Sequence, residues 1–324
     1  HMRYSYQSML TILIVKIIFK PQRIAQPYKT TSRSELCTLY TQGNHMKNFK
    51  NKVAAITGAG SGIGQQLAVL LAKQGCHLSL SDVNEQGLSQ TVDLLKDSNV
   101  RVTIKKVDVS QLEQMREWAA ETVQDHGSVN MIFNNAGVAL GSTVEGASYK
   151  ELEWIVGINF WGVVYGTKEF LPFIKQTGDG HIINISSLFG LTAQPTQSAY
   201  NATKFAVRGF TESLRQELDL ENCGVSALSV HPGGIRTNIA NNAKMNDSIR
   251  TLGMNPEKSA RAFNKLLRCP PEEAARQILE AVQKDKRRLL IGNDAKTLDL
   301  IQRIVPTGYQ KVSAWATKLG KKRG

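Results

Sequence analysis

Tyr200 and Lys204 stand four residues apart, a spacing that puts both side chains on one face of a helix. A free phenol has a pKa of about 10, and a nearby ammonium favours its ionised form. A tyrosine in that setting can give or take a proton near neutral pH. Ser187 lies 13 residues earlier, at the end of a β-rich run, where a hydroxyl can meet a helix-borne phenol. A second constellation lies upstream in Thr57-Gly58-Ala59-Gly60-Ser61-Gly62-Ile63-Gly64, which leads from an apolar run into a helical pattern. Glycines let the backbone approach a pyrophosphate, and a helix N-terminus offers free N–H groups and a positive dipole end. The spacing is G-x-x-x-G-x-G rather than G-x-G-x-x-G, so by itself the loop also reads as a Gly-rich turn. Asp82 follows the next β-rich run, 18 residues after Gly64. A carboxylate there can accept hydrogen bonds from an adenosine ribose and would repel a 2′-phosphate. Neither Gly60, Ser61 nor Val83 supplies a compensating cation, so the pattern favours NAD, with NADP the alternative. The bland reading of Asp82 is a solvated residue opening a turn.

Elements able to hold these residues alternate along the chain. Short β-rich runs occur at Val53–Thr57, His77–Ser81, Val102–Val107, Met131–Asn134, His181–Ser186, Val225–Val230 and Arg288–Ile291. Helical stretches separate them at about residues 63–74, 85–96, 112–126, 149–175, 198–220 and 271–284. Such alternation predicts βαβ units and an α/β fold: a single-domain, doubly wound parallel seven-stranded sheet of Rossmann type. Ligands of such sheets bind beyond the carboxyl ends of the strands. In the fifth helix, Ala199, Ala202, Ala206, Phe210, Leu214 and Leu218 suggest the buried face, leaving the opposite face for chemistry.

The chain of 324 residues is 41% hydrophobic and 21% charged, which excludes disorder for its bulk. The formal charge of +13 invites a nucleic-acid reading until it is located. Residues 1–45 carry six Lys/Arg and one acid, and residues 284–324 carry eleven and three. Residues 46–283 therefore hold 23 of each sign, and a basic nucleic-acid groove across the body is not indicated. The four cysteines, Cys37, Cys76, Cys223 and Cys269, form no C-x-x-C and read as packing residues in a reducing, cytoplasmic setting, with no metal site expected. Met9–Phe19 is apolar but too short for a spanning helix, which needs about 20 residues, and it lacks a signal-peptide cleavage pattern. Residues 1–45 are expected to be a leader outside the fold, non-native or ahead of a true start at Met46.

Thr57-Gly58-x-x-x-Gly62-x-Gly64, Asn134-Asn135-Ala136-Gly137, Ser187, Tyr200-x-x-x-Lys204 and His231-Pro232-Gly233 occur in one order. In these five motifs the sequence resembles the short-chain dehydrogenases/reductases over roughly residues 47–293, and not over the leader or the last thirty residues. The resemblance implies that Gly58, Ser61, Gly62, Ile63 and Gly64 line a pyrophosphate, Asp82 the adenosine ribose, and Asp108 and Val109 the adenine. It implies that Asn135, Ala136 and Gly137 abut the cofactor and stiffen the central strand, and that Pro232, Gly233 and Thr237 contact the nicotinamide half. It makes Tyr200 the proton-transferring residue and Lys204 the group that holds the nicotinamide ribose and lowers the tyrosine pKa. Ser187 would hydrogen-bond the substrate oxygen, and Asn159 would support a water in the proton relay. Ser186 adjoins Ser187 but lacks the family spacing. His231 is expected to fill a strand end, and His126 and His181 to be structural or solvated.

The segment from Ile235 to Leu267 falls where this family folds a flap over substrate. Its Ile239, Met245, Ile249, Leu252, Met254, Phe263, Leu266 and Leu267, with Leu188, Phe189, Leu191, Val138, Ala139 and Leu140, suggest an apolar pocket. A lipophilic alcohol or ketone is the expected substrate. Residues 294–324 read as a basic amphipathic tail, suited to peripheral membrane contact or to a subunit contact. The family commonly forms dimers and tetramers through its fourth and fifth helices, so a homo-oligomer is expected. Two competing readings are a 3-oxoacyl thioester reductase, which commonly uses NADPH and so conflicts with Asp82, and a nucleotide-binding regulator without turnover, whose cheapest mark would be a lost tetrad residue. None is lost.

Overall fold

Runs of Val, Ile, Leu and Ala with β-branched enrichment become central strands buried on both faces, as a parallel sheet covered by helices requires, while the edge strand at Val102–Lys106 stays partly exposed. The computed structural model describes Met46, residues 48–239 and residues 242–322, apart from the side chains of residues 262, 263, 265, 266, 316 and 319–322. The expectation for residues 1–45, Cys37 included, lies outside the described residues. In chain order the elements are β1 (Val53–Thr57), α1 (Gly62–Lys73), β2 (His77–Asp82), α2 (Glu85–Asp93), β3 (Val102–Lys106), α3 (Leu112–His126), β4 (Met131–Asn134) and β5 (Leu140–Gly141). Then come α4 (Tyr149–Val156), α5 (Gly162–Gln176), β6 (Gly180–Ile185), α6 (Ser198–Glu221), β7 (Val225–Pro232), β8 (Lys244–Met245), α7 (Pro256–Leu266), α8 (Pro271–Gln283) and β9 (Arg288–Ile291). Two further helices follow, α9 (Asn293–Ile304) and α10 (Gly308–Lys322).

Seven strands pair in parallel in the order β3-β2-β1-β4-β6-β7-β9. The order reverses between β1 and β4, and the loops after those strands form a crevice at that point. One face of the sheet packs on α1 and α8 through Leu67, Leu71, Ile278 and Val282. The other packs on α3, α5 and α6 through Met115, Trp118, Phe170 and Leu214. The seven-stranded Rossmann-type sheet matches the expectation.

Three expectations need correction. The helix foreseen over residues 149–175 is interrupted by a π-helical turn, Gly157–Trp161. The extra residue turns Asn159 fully inward, where its amide clasps the backbone of Val138 from both sides: Oδ1 accepts from Val138 N at 2.8 Å and Nδ2 donates to Val138 O at 2.9 Å. Such bulges recur near functional sites. On α6 only part of the expected stripe is buried: Ala199, Leu214 and Leu218 are, whereas Ala202 is exposed and Ala206 and Phe210 are half-buried. Tyr200, Thr203, Lys204, Val207 and Thr211 are buried as well, so the reactive pair lies on the face turned to the sheet. Finally, residues 294–322 are no appendage: α9 follows β9 directly and packs on the turn after Ser187.

Candidate active site

A crevice of about 2220 Å³ opens at the reversal of strand order. That exceeds the roughly 300–1000 Å³ of an ordinary small-molecule pocket, so it has room for a dinucleotide and a substrate together. Sixteen of the eighteen site residues named from sequence line it; Gly64 and Asn159 do not. Gly64 stands behind the loop, where a Cβ would lie 2.2 Å from Gly58 O, so its lack of a side chain lets α1 pack on the loop. Asn159 stands behind Gly137 and acts through the Val138 backbone.

The glycine loop is tied to the end of β4. Thr57 Oγ1 accepts from Asn135 N at 2.9 Å and Ala136 N at 3.0 Å, while Asn135 Nδ2 donates to Thr57 O and Gly58 O. Gly58 has φ of +65° and passes so close to Ala136 that a Cβ would lie 2.9 Å from its Cα. The start of α1 carries no side-chain cap and no acid in its first turn, so its N–H groups are available to an anion. These features fit a pyrophosphate. Asp82 accepts from Gly60 N and Asn84 N, each at 2.9 Å, which fixes its carboxylate at the far end of the crevice. Asp108 is held likewise by Ser110 N and Oγ at 2.9 and 2.7 Å, and Val109 packs into the core beside it.

At the other end, Ser187 caps a short helical turn, its Oγ accepting from Phe189 N at 3.1 Å. Ser186 Oγ is committed to Lys204 O at 2.8 Å, which separates the neighbouring serines: Ser187 belongs with the phenol and Ser186 with the helix backbone. Lys204 Nζ sits 5.7 Å from the centre of the Tyr200 ring and donates to Ile185 O at 3.0 Å. The structure thus brings Ser187, Tyr200 and Lys204 to one corner of the crevice.

The pattern of the short-chain dehydrogenases matches residues 52–248. A Mycobacterium tuberculosis protein, SadH, named as an oxidoreductase, is 45% identical over 270 residues, covering 83% of this chain and 96% of the relative. The chain belongs to the short-chain dehydrogenase/reductase family. Among solved structures, a family member from Burkholderia phymatum in complex with NAD superposes with a TM-score of 0.74 at 28% identity, over 82% of this chain and 97% of that one. An alcohol dehydrogenase from Thermococcus sibiricus complexed with 5-hydroxy-NADP gives 0.61 at 26% identity, over 74% and 95%. The protein is an oxidoreductase of this family with a nicotinamide dinucleotide fold.

Electrostatics in this dehydrogenase differ from the expectation that Lys204 acidifies Tyr200. Burial pushes the phenol above its ordinary value, and hydrogen bonding by Ser187 pulls it back in part. Burial also pushes the Lys204 ammonium down to about 8. Lys204 directs one of its ammonium N–H groups to the Ile185 carbonyl, and the group that eases ionisation of Tyr200 here is Ser187.

His231 does more than fill a strand end. Its Nδ1 donates to Ser187 O at 3.0 Å, since a carbonyl can only accept, and Nε2 then accepts from the Ser229 hydroxyl at 2.9 Å. Burial pushes its pKa down to about 4. An unfolded histidine binds a proton below about 6.5 and the native one only near 4, so stability falls as pH drops through that window. Urea unfolding measured across it should show a loss approaching about 3 kcal/mol from this group. His231→Gln, which cannot titrate, should flatten the curve; an unchanged curve would assign the effect elsewhere.

Sequence reasoning missed Asp294. Its Oδ2 accepts from Gly234 N at 2.7 Å, while Gly234 O accepts from Arg268 N and Cys269 N, so the loop after Pro232 is gripped from both sides. Thr237 reaches over the glycine loop, its methyl 3.0 Å from where a Cβ of Gly62 would stand. The expected apolar wall is present in part. Val138, Ala139, Leu188, Phe189, Ile239, Met245, Met254 and Leu267 line the crevice, whereas Leu140, Leu191 and Ile249 are buried behind it and Leu252 faces away. Phe263 and Leu266 have side chains outside the described residues.

Proposed function

We propose that this dehydrogenase interconverts an apolar alcohol and its ketone or aldehyde, with NAD favoured over NADP. The observation that carries the reading is one crevice holding Ser187, Tyr200 and Lys204 between the Asp82 end and a wall of aliphatic side chains. A bound nicotinamide supplies the acceptor or donor of hydride. In the oxidation direction Tyr200 takes the hydroxyl proton of the substrate; in reduction it returns that proton to the forming alkoxide, while Ser187 donates a hydrogen bond to the same oxygen. Lys204 holds its ammonium beneath the phenol, and the complete tetrad argues against a regulator without turnover.

Asp82 supports the choice of NAD. Cations lining the crevice among the described residues are Lys204, Lys258 and Arg268, and none adjoins Asp82 in sequence or across β2 and β3. Lys106, its register partner on β3, is ion-paired to Glu85 at 2.9 Å. A panel of secondary alcohols, sterols and long-chain alcohols followed by nicotinamide absorbance tests both halves of the reading. NAD should be used at least about tenfold more efficiently than NADP, a difference of about 1.4 kcal/mol. Asp82→Asn keeps an oxygen for Gly60 N and removes the charge, so it should erase most of that ratio. A wild-type preference for NADP would overturn the cofactor reading, and turnover confined to sugars or amino acids the substrate reading.

Among the described residues no helix is long and apolar enough to cross a membrane. Partly exposed aromatic side chains over the π turn, α5 and α6, namely Phe160, Trp161, Tyr165, Phe205 and Phe210, support pairing with a second copy. Light scattering should give the mass of a dimer or tetramer, and a monomer at micromolar concentration would refute this.

A further inference from the structure

Helices α9 and α10 lie beyond the span that matches the family pattern, yet they wall the same crevice. Leu298, Ile301 and Val305 recur at helical spacing along α9 and the turn that ends it, and Tyr309, Val312 and Thr317 stand on α10; all six line the crevice that reaches Ser187 and Tyr200. The α9 stripe alone covers about 10 Å, at 1.5 Å per residue. α9 packs on the turn after Ser187, and α10 is tied by two hydrogen bonds to the chain between the two reactive residues. Ala193 N donates to Tyr309 Oη at 3.1 Å, and Ser313 Oγ donates to the side chain of Gln194.

Ile301, Val305 and Val312 are 37%, 43% and 63% exposed although they line a concave site. Protein side chains leave them uncovered, and apolar surface in a pocket continuous with a reaction centre is suited to the apolar part of a ligand. Leu300, Ile304 and Trp315 are exposed too but do not line the crevice, so only the first three bear on its occupant.

We propose that α9 and α10 form the distal wall of the substrate site, and that what they hold is the hydrocarbon chain of a long-chain alcohol or ketone whose oxygen lies at Ser187 and Tyr200. This rests on the alcohol–carbonyl reading above and deepens it. The wall acts on binding of the chain and takes no part in proton transfer, so its signature is a dependence on chain length.

A homologous series of methyl carbinols and methyl ketones of increasing chain length provides the test, on the full protein and on a variant carrying Ile301→Asp and Val312→Asp. Both positions are exposed, so the substitutions do not disturb the core. In the wild type kcat/KM should rise about threefold to fourfold per added methylene until the stripe is covered. In the variant the rise per methylene should fall close to one, the shortest member serving as the internal reference. A second readout is independent of turnover: a long-chain methyl ketone should raise the Tm of the wild type, and much less that of the variant. If no member is turned over with either cofactor but the differential Tm shift is present, the reaction reading fails and the distal wall stands. A flat wild-type series without a Tm shift, or equal slopes and equal shifts in both proteins, overturns the proposal.

Discussion

Tyr200→Phe should reduce turnover by roughly 10²- to 10⁴-fold, the range expected when a positioned acid or base is removed, while dinucleotide binding persists. The phenyl ring fills the same buried volume, and the edge-to-face contact with Phe189, with ring centres 6.1 Å apart, needs no hydroxyl. Ser187 Oγ keeps its bond from Phe189 N, so the serine stays in place. The glycine loop, Asp82 and Asp108 lie at the other end of the crevice and are unaltered. Fluorescence titration with NADH should therefore give a nearly unchanged Kd, beside a loss of about 3 to 5 kcal/mol in transition-state stabilisation. In the wild type the raised pKa of the phenol keeps it protonated at neutral pH, ready to donate in reduction, so oxidation should speed up as pH rises into the alkaline range. Substantial activity in the variant would remove Tyr200 from the role of proton carrier.

Much of the site could be read in the sequence because its geometry is set by short-range spacing. The loop from Gly58 to Gly64 begins at the end of one strand and ends inside one helix, so chain connectivity alone brings those residues together. Tyr200 and Lys204 share a helix face by the same logic. What could not be read depends on contacts between distant segments. Alanines at 199, 202 and 206 read as one core stripe, but only Ala199 is buried; small residues fit at a half-exposed surface as well, and the sheet takes the Tyr200 side of α6. The π turn at Gly157–Trp161 left no mark in the apolar periodicity, because one added residue shifts a helix by about 100° and the flanking helices remain in phase with their own surroundings. Residues 294–322 looked like a tail because their charge is basic and their apolar side chains are spaced for a helix. The docking of Tyr309 on Ala193 N and of Ser313 on Gln194, contacts between distant segments, places this helical face on the crevice. The ionisation of the reactive pair was misjudged for a related reason. Adjacency on a helix predicts mutual attraction of charge, whereas burial, which no spacing reveals, acts on both groups toward their neutral forms.

That burial makes Lys204 the site of the second large effect. Lys204→Met should cut kcat by about 10²-fold or more, with much less change in stability than the 3% exposure of the lysine suggests. Methionine approximates the stem, so packing is kept. The substitution leaves Ile185 O without the donor that Nζ supplies at 3.0 Å, a cost of about 1 to 3 kcal/mol. It also relieves the penalty of a buried ammonium, which offsets part of that cost at neutral pH. The sign follows from the lowered pKa: native Lys204 releases its proton near 8, the unfolded chain only near 10.4, so the wild type gains stability from this group as pH rises through that interval, and Lys204→Met should lack the gain. Activity runs the other way. Above about pH 8 the wild type loses the cation beneath the phenol, so kcat for reduction, in which Tyr200 gives up its proton and is left as phenolate, should fall there while thermal stability improves. Parallel profiles of kcat and Tm from pH 7 to about 10 distinguish the two roles. Opposite trends in the wild type and none in the variant identify Lys204 as an electrostatic participant. A variant that unfolds at neutral pH, with kcat and Tm falling together, would make it a structural strut.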